Sequence, residues 1–251
     1  MNFKQMMIKL KNVFLDTLFP NDIKCILCGR DLDDDYPSCK ECLKEDIFND
    51  GNRCVYCDTR IKDGNIVCDH CQSKTKGKKN KTLARKRYFA KCFCPLNYQD
   101  KVRSAILKLK SDGAKYLAPP FAKLIYQRLL DEKIEFDIIA PVPSHPKTIK
   151  KRGYNPAALI AEELGKLCNK PVKELLIKNV VTSNQKYLDY AARQENLKDS
   201  MTVKEGVNFK NKTILLVDDV ITTCATINTC AALLTNAKKI YACAVARNQL
   251  K

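Results

Sequence analysis

Apolar strand-like segments alternate with amphipathic helices through the second half of the chain. The clearest strand is Thr213–Val217, which has no charged residue and leads directly into two aspartates. The other predicted strands are Tyr88–Leu96 (a strand or hairpin), Phe136–Val142 and Lys239–Val245, and the helices predicted from apolar residues at helical spacing are Gln99–Lys110, Phe121–Leu130, Pro156–Leu167 and Thr226–Leu234. This alternation predicts an α/β domain with a mostly parallel sheet, whose ligands bind at the carboxyl ends of the strands.

The first third of the chain follows a different pattern. Residues 1–19 place apolar side chains at helical spacing between lysines, which predicts an amphipathic helix packed on the protein itself, with a membrane-surface helix as the alternative. Residues 20–73 are rich in cysteine, and the strongly basic residues 74–87 are predicted to form an extended linker because like charges repel. The α/β domain then covers residues 88–251.

Four C-x-x-C pairs lie within the cysteine-rich segment: Cys25 and Cys28, Cys39 and Cys42, Cys54 and Cys57, Cys68 and Cys71. Two such pairs supply the four thiolates of a tetrahedral Zn²⁺ site, so eight cysteines predict two closed, structural zinc sites. We expect each pair to share an ion with the next pair along the chain; interleaved pairing is the alternative. Iron–sulfur or redox roles for these cysteines are less consistent with four pairs in series.

The chain is strongly basic, with 45 lysines and arginines against 28 aspartates and glutamates, a formal charge of +17. Such an excess favours polyanionic partners, although it also serves general solubility. Hydrophobic residues make up 45% of the chain, which excludes wholesale disorder, and no apolar run approaches the ~20 residues that span a bilayer. With no recognisable signal peptide, the sequence predicts a cytoplasmic protein.

The most informative stretch follows the strand that ends at Val217. Asp218 and Asp219 come first, and a loop rich in hydroxyl groups leads into a helix; its residues are Thr222, Thr223, Cys224, Ala225 and Thr226. Amides at the start of a helix and threonine hydroxyls hold a phosphate, while paired carboxylates accept hydrogen bonds from the vicinal hydroxyls of a ribose. The alternative is an ordinary strand–loop–helix junction.

This stretch resembles the phosphoribosyl-pyrophosphate motif of type I phosphoribosyltransferases. Two further segments are similar to those of the ComF family of competence proteins: Pro141-Val142-Pro143 followed by 151–155 (KRGYN), and Gln185 followed by 192–197 (ARQENL). Members of that family also begin with a double zinc ribbon. The resemblance covers roughly residues 14–247 and implies a type I phosphoribosyltransferase-like parallel sheet flanked by helices.

The resemblance also implies roles for individual residues. Asp218 and Asp219 would hold the ribose hydroxyls, residues 222–226 would surround the 5-phosphate, and Arg152 would lie near the opening of the site. A pyrophosphate loop would be formed by Lys108–Gly113, with backbone amides offered by Ser111, Asp112 and Gly113. The family pattern has glycine where this chain has Cys224, so we expect the cysteine side chain to add bulk beside the phosphate, and Pro156 replaces a glutamine.

Three functions follow from this resemblance. The first is handling of single-stranded DNA during natural transformation, with a ComF-type helicase and other DNA-uptake proteins as partners; the basic residues expected to contact DNA are Lys78, Lys79, Lys81, Arg85, Lys86, Arg87, Lys151 and Arg152. Tyr88, Phe89, Phe93, Tyr98 and Tyr154 are candidates for stacking on bases, with core packing as the alternative. The second is an active phosphoribosyltransferase that uses phosphoribosyl pyrophosphate with Mg²⁺, and a module that senses such a ligand without turnover is a third reading.

Overall fold

A computed structural model describes residues 25–31, 38–43, 47–62, 64–72, 87–111, 113–178 and 201–249. The chain divides into two compact units, Met1–Glu45 and Asp46–Lys251. The predicted N-terminal helix at 1–19, most of the predicted basic linker and the segment containing Gln185 and 192–197 lie outside the described residues.

The second unit is built around a five-stranded sheet in which every pair of neighbouring strands is parallel. The strands of the described residues are β1 (Cys92–Phe93), β2 (Leu96–Asn97), β3 (Ile138–Pro141), β4 (Leu176–Lys178), β5 (Met201–Val203), β6 (Thr213–Ile221) and β7 (Lys239–Arg247). The order across the sheet is β1–β7–β6–β3, with β2 also paired to β7, while β4 and β5 form a separate antiparallel pair. Val217 aligns with both Pro141 and Cys243, so the carboxyl ends of β3 and β6 meet at one edge.

The α-helices of the described residues are α1 (Lys40–Leu43), α2 (Asp69–Gln72), α3 (Asp100–Ser111), α4 (Ala118–Asp131), α5 (Pro146–Arg152), α6 (Pro156–Cys168) and α7 (Ala225–Leu233). Apolar periodicity predicts α3, α4, α6 and α7, whereas the short helices α1, α2 and α5 were not predicted. Proline stands in the first turn of α4, α5 and α6, where its missing N–H costs no hydrogen bond. Among the described residues, no helix is both long and apolar enough to cross a bilayer.

Both faces of the sheet are buried, as the continuous apolar run of β6 requires. Helix α6 packs on β3, β6 and α4, and α4 also contacts β7. A second buried cluster combines Ile214, Leu216 and Ala242 of the strands with Ile227 of α7. That cluster also contains cysteines of the second predicted metal site, Cys54, Cys57 and Cys68.

The structure differs from the sequence prediction at the end of β6. The predicted strand ends at Val217, whereas pairing with β7 continues from Asp218 opposite Ala244 to Ile221 opposite Arg247. The two aspartates therefore belong to the strand and not to the loop that follows it. The backbone ladder with β7 outweighs the low strand propensity of aspartate here.

Candidate functional site

The eight cysteines form two separate groups of four. Cys25, Cys28, Cys39 and Cys42 make one group and Cys54, Cys57, Cys68 and Cys71 the other, with the four sulfurs of each group all within 4.8 Å of one another. The sulfurs of Cys28 and Cys39 are 3.7 Å apart, and those of Cys57 and Cys68 are 3.5 Å apart. Four sulfurs at about 2.3 Å from one tetrahedral ion lie about 3.8 Å from each other, so both groups fit a metal. The sequential pairing is confirmed.

The first cysteine cluster lies in the first unit and is shaped by tight turns. Gly29 adopts a positive φ of 77° and donates its N–H to the carbonyl of Cys25. The backbone N–H of Arg30 lowers the pKa of Cys28 to about 6. A thiol that loses its proton easily is a ready metal ligand, because the thiolate is the form that binds.

The second cysteine cluster is part of the hydrophobic core of the second unit. Asp58, which is 1% exposed, follows Cys57 and anchors the turn to the sheet. Its carboxylate accepts hydrogen bonds from the backbone N–H of Cys94 at 2.7 Å and from the side-chain amide of Asn49 at 3.1 Å, and Arg128 lies 3.4 Å away. Burial raises the pKa of Asp58 to about 6 in spite of these partners. The cluster is therefore joined to the start of the sheet by a buried, hydrogen-bonded carboxylate.

Asp218 and Asp219 have different surroundings although they are adjacent. Side chains alternate along a strand, so Asp218 shares the face of Leu216 and Asp219 lies on the opposite face. Asp218 accepts a hydrogen bond from the N–H of Asp219 at 2.8 Å, and Asp219 forms a 2.6 Å ion pair with Lys110 of α3. Burial raises the pKa of Asp218 to about 7, and the negative charge of Asp219 adds to that effect.

The loop after β6 keeps the backbone shape that the family's glycine would give. Cys224 adopts a left-handed conformation (φ 59°, ψ 12°) directly before α7. Its sulfur is buried 3.4 Å from Nη1 of Arg247 and 4.0 Å from the sulfur of Cys92. The Cys224 side chain enters the core while Thr222 and Thr223 stay exposed, so the bulk expected of this cysteine is directed away from the exposed side of the loop.

The other predicted pocket residues belong to segments that meet at the same edge of the sheet. The Lys110–Asp219 ion pair brings the end of α3, with Ser111, to the end of β6. Gly113 has a positive φ of 70°, as a backbone loop around an anion favours, and Asp112 lies outside the described residues. Ala225 and Thr226 open α7, and the side-chain hydroxyl of Thr223 accepts from the N–H of Ala225 at 3.4 Å.

Residues 142–155 form the remaining side of this edge. The N–H of Val142 donates to the carbonyl of Val217, and Asn155 caps α6 while its amide donates to the carbonyl of Val142. The hydroxyl of Tyr154 donates to the carbonyl of Leu109 at 2.6 Å, so this aromatic ring is packed against α3. Between these contacts lies α5, none of whose residues is buried, with Lys150, Lys151 and Arg152 in its last turn.

The predicted nucleic-acid contacts are described only in part. Lys78, Lys79, Lys81, Arg85 and Lys86 lie outside the described residues. The guanidinium of Arg87 stacks on the ring of Tyr56 at 3.3 Å, and Lys151 is exposed. Of the aromatic candidates for base stacking, Phe89, Phe93 and Tyr154 are buried, whereas Tyr88 is 40% exposed. Core packing is therefore the role of the three buried rings.

The predicted fold class is confirmed: the second unit has a type I phosphoribosyltransferase-like sheet flanked by helices. The strands of this sheet are parallel, helices lie on both of its faces, and two acids lie at the carboxyl end of the inner strand β6. Two four-cysteine clusters precede the sheet in sequence. The chain is similar to the Bacillus subtilis glutamine phosphoribosylpyrophosphate amidotransferase complexed with ADP and GMP, at 19% identity and a TM-score of 0.36 over 50% of this chain and 25% of that one. It is also similar to adenine phosphoribosyltransferase from Thermoanaerobacter pseudethanolicus, at 16% identity and a TM-score of 0.33 over 55% of this chain and 69% of that one.

The resemblance to ComF proteins is supported by a relative of known name. The chain is 30% identical to Competence protein F of Haemophilus influenzae over 145 residues, which are 55% of this chain and 63% of that protein. No family model matches the chain. The predicted resemblance is thus confirmed: the chain is similar to a competence protein of this name over 63% of that protein's length, and it has a phosphoribosyltransferase-type fold.

Sequence reasoning missed three residues that organise this region. Lys110 falls inside the predicted pyrophosphate segment but was not assigned to the site, although it contacts Asp219 directly. Asp58 and Arg247 are almost fully buried charges, 1% and 0% exposed. A single arginine in the otherwise apolar strand 240–247 was a usable signal, because a charge in such a strand needs a buried partner.

We expect the sheet to depend on the metal of the second cluster. Replacing Cys54 by alanine should lower the zinc content from two ions to one per chain and reduce the free energy of unfolding by roughly 3–5 kcal/mol, since the cluster is part of the core. Elemental analysis and thermal unfolding measure both effects. Cys168→Ala is the control, because this half-buried thiol at the end of α6 belongs to neither cluster. Iron or no metal in the wild type would contradict the zinc prediction.

The raised pKa of Asp218 predicts a specific pH dependence. Its carboxyl holds a proton more tightly in the folded chain than in the unfolded one, so its ionisation lowers stability as the pH rises from about 4 to about 7. Asp218→Asn removes this loss, and at pH 8 the variant should be more stable than the wild type by about 1–3 kcal/mol, with little difference near pH 4.

Denaturant unfolding at several pH values measures this difference. Asp131→Asn, at the end of α4 in an exposed contact with Gln127, is the matched control and should leave the pH profile unchanged. Parallel stability curves for the wild type and Asp218→Asn would show that burial does not raise the pKa of Asp218.

Proposed function

We propose that the chain handles single-stranded DNA in the cytoplasm during DNA uptake, with a phosphoribosyl pyrophosphate-type pocket at the carboxyl edge of the sheet. The observation that carries the DNA proposal is helix α5, which exposes Lys147, Lys150 and Lys151, ends on the half-exposed Arg152, and has no buried or acidic residue. It follows β3 directly, so its cations belong to the same edge of the sheet as Asp218 and the loop 222–226. The name of the Haemophilus relative adds the link to competence.

Charge supports this proposal further. In the described part of the chain, no ion pair engages Lys147, Lys150, Lys151 or Arg152, and the whole chain carries a formal charge of +17. Cations without acidic partners bind a phosphate backbone by releasing its condensed counterions, which makes binding steeply salt-dependent. Zinc in both cysteine clusters, with no open coordination position, would stabilise the fold and take no part in chemistry.

The DNA proposal predicts that affinity for single-stranded DNA falls when basic residues are removed from one edge of the sheet and not when they are removed from the other. Replacing Lys151 and Arg152 together by alanine should weaken binding of a labelled single-stranded oligonucleotide about ten-fold near 0.1 M salt and lower the salt slope by roughly 0.7 for each lost phosphate contact. Fluorescence anisotropy of the zinc-loaded full chain across a salt series measures both effects. Mg²⁺ and phosphoribosyl pyrophosphate should compete with the DNA if both occupy this edge.

The matched control removes the same charge elsewhere. Lys210→Ala with Lys212→Ala takes two exposed lysines from just before the start of β6, at the opposite edge of the sheet, and should change affinity less than two-fold. Equal losses in both double variants would show that overall charge, and not α5, binds the DNA. Wild-type chain that fails to bind at physiological salt would overturn the proposal.

An active phosphoribosyltransferase is the second candidate. It is favoured by the arrangement of Asp218, Asp219 and Lys110 beside a loop whose backbone keeps the expected shape at Cys224. Asp218 and Asp219 would hold the ribose hydroxyls while positive charge develops at the anomeric carbon, and Lys110 and the amides near Gly113 would face the pyrophosphate. Mg²⁺ bound with that substrate would neutralise the leaving group.

Transferase activity predicts release of pyrophosphate from phosphoribosyl pyrophosphate and Mg²⁺ when an acceptor is supplied. A screen of nucleobases by a coupled pyrophosphate assay measures it, and Asp219→Asn should reduce the rate on the order of 10²-fold, while Asp131→Asn should not. Calorimetric binding of the substrate without turnover would favour the sensing module, and absence of both would leave DNA handling as the function of the chain.

A further inference from the structure

Arg247 is a fully buried arginine with an unusual set of partners. It is the last residue of β7 and 0% exposed, and its register partner in β6 is Ile221. Within the described part of the chain, no carboxylate lies within ion-pair distance of its guanidinium, and Nη2 has no hydrogen-bond partner. Burying an unpaired guanidinium costs several kcal/mol, so this charge needs compensation from another source.

The contacts that Arg247 does make come from two separate parts of the fold. Its Nε donates to the hydroxyl of Thr59 at 2.8 Å, and its Nη1 lies 3.4 Å from the sulfur of Cys224. The same hydroxyl of Thr59 is 3.3 Å from the sulfur of Cys57, one of the four cysteines of the second cluster. A continuous chain of contacts therefore runs from the metal cluster through Thr59 and Arg247 to the loop before α7.

The negative charge of a metal-loaded cysteine cluster explains why the guanidinium of Arg247 is buried beside it. Four thiolates around one divalent ion carry a net charge of −2, and this charge lies in the core beside the sheet. A buried guanidinium next to such a cluster is compensated by it, just as the cluster is compensated by the guanidinium. Groups that hydrogen-bond to metal ligands orient them and tune the site, and Thr59 has this position for Cys57.

At the loop, the chain of contacts ends on Cys224, a residue with a strained backbone. Cys224 is one of the non-glycine residues with a positive φ, a conformation that costs a residue with a side chain about 1–2 kcal/mol. Such a residue persists only when its surroundings hold it in place. Here the surroundings are Arg247 and Cys92, both 0% exposed.

We propose that Arg247 is a positioning residue that couples the second cysteine cluster to the loop 222–226, so that metal in this cluster holds the loop in the shape that binds the phosphate of a phosphoribosyl ligand. The ligand part of this inference rests on the proposed pocket, whereas the coupling itself does not. Loss of the guanidinium that links the cluster to Cys224 releases the strained backbone without unfolding the sheet, whereas loss of the metal releases the loop and also lowers the stability of the sheet.

The test measures the loop directly. Arg247→Gln should keep two metal ions per chain. The rate of hydrogen–deuterium exchange at the loop amides 222–226 should nevertheless rise about ten-fold relative to the rate at amides 214–217 of the preceding strand β6. Thr59→Val removes the bridging hydroxyl and should give the same change to a smaller extent. Cys57→Ser, which breaks the cluster, should raise exchange in the loop at least as much as Arg247→Gln and should raise exchange in 214–217 as well, since the cluster is part of the core. Calorimetry with phosphoribosyl pyrophosphate should show affinity falling by about the same factor.

A matched control separates coupling from general destabilisation. Asp137→Ala removes a carboxylate that accepts a hydrogen bond from the N–H of Thr213 at the start of β6, remote from both the cluster and the loop. It should raise exchange in 214–217 and 222–226 together or in neither. A folded Arg247→Gln or Thr59→Val chain whose loop exchanges like the wild type would overturn the coupling. Loop release without any wild-type affinity for phosphoribosyl pyrophosphate would instead overturn the pocket and leave the coupling in place.

Discussion

The second unit depends on the parallel ladder that joins β6 to β3 on one side and to β7 on the other. Because Val217 is aligned with Pro141 and with Cys243, the three strands run in register; β3 ends at Pro141, and β6 and β7 continue together for four more residues at the same edge, to Ile221 and Arg247. The segments that follow them, 142–155, 222–226 and 248–249, are thereby brought to one edge of the sheet. No single loop forms this edge, and the side chains that meet there are far apart in sequence, as with Lys110 and Asp219.

The second cysteine cluster is part of this architecture and not an appendage to it. Cys54, Cys57 and Cys68 are buried with strand residues such as Ile214 and Leu216. The turn that carries Cys57 is fixed by the carboxylate of Asp58, which bonds to the backbone of Cys94 between β1 and β2. A short ribbon of this size has too small a core to be stable alone, and sharing the core of the sheet removes that difficulty. The first cluster lies in a different compact unit.

The parts of this structure that local patterns determine were predictable, and the parts that long-range contacts determine were not. Apolar periodicity places α3, α4, α6 and α7 within a few residues of their bounds, and the even spacing of the C-x-x-C pairs gives the correct cysteine groups. The end of β6 was missed because its pairing partner, residues 244–247, lies far along the chain. The direction of the Cys224 side chain was missed for the same reason, since Arg247 and Cys92 decide it.

Cys224 shows how a replaced glycine can be tolerated. Glycine is favoured in a loop of this shape because a positive φ costs it nothing. In a cysteine the same φ strains the backbone, and the strain must be offset by contacts of the side chain. Here the sulfur is buried against the guanidinium of Arg247, which has few other partners. The cysteine and the arginine each relieve a cost of the other, strain in one case and an unpaired charge in the other. Changes at position 224 are therefore best interpreted together with position 247 and not through the loop alone.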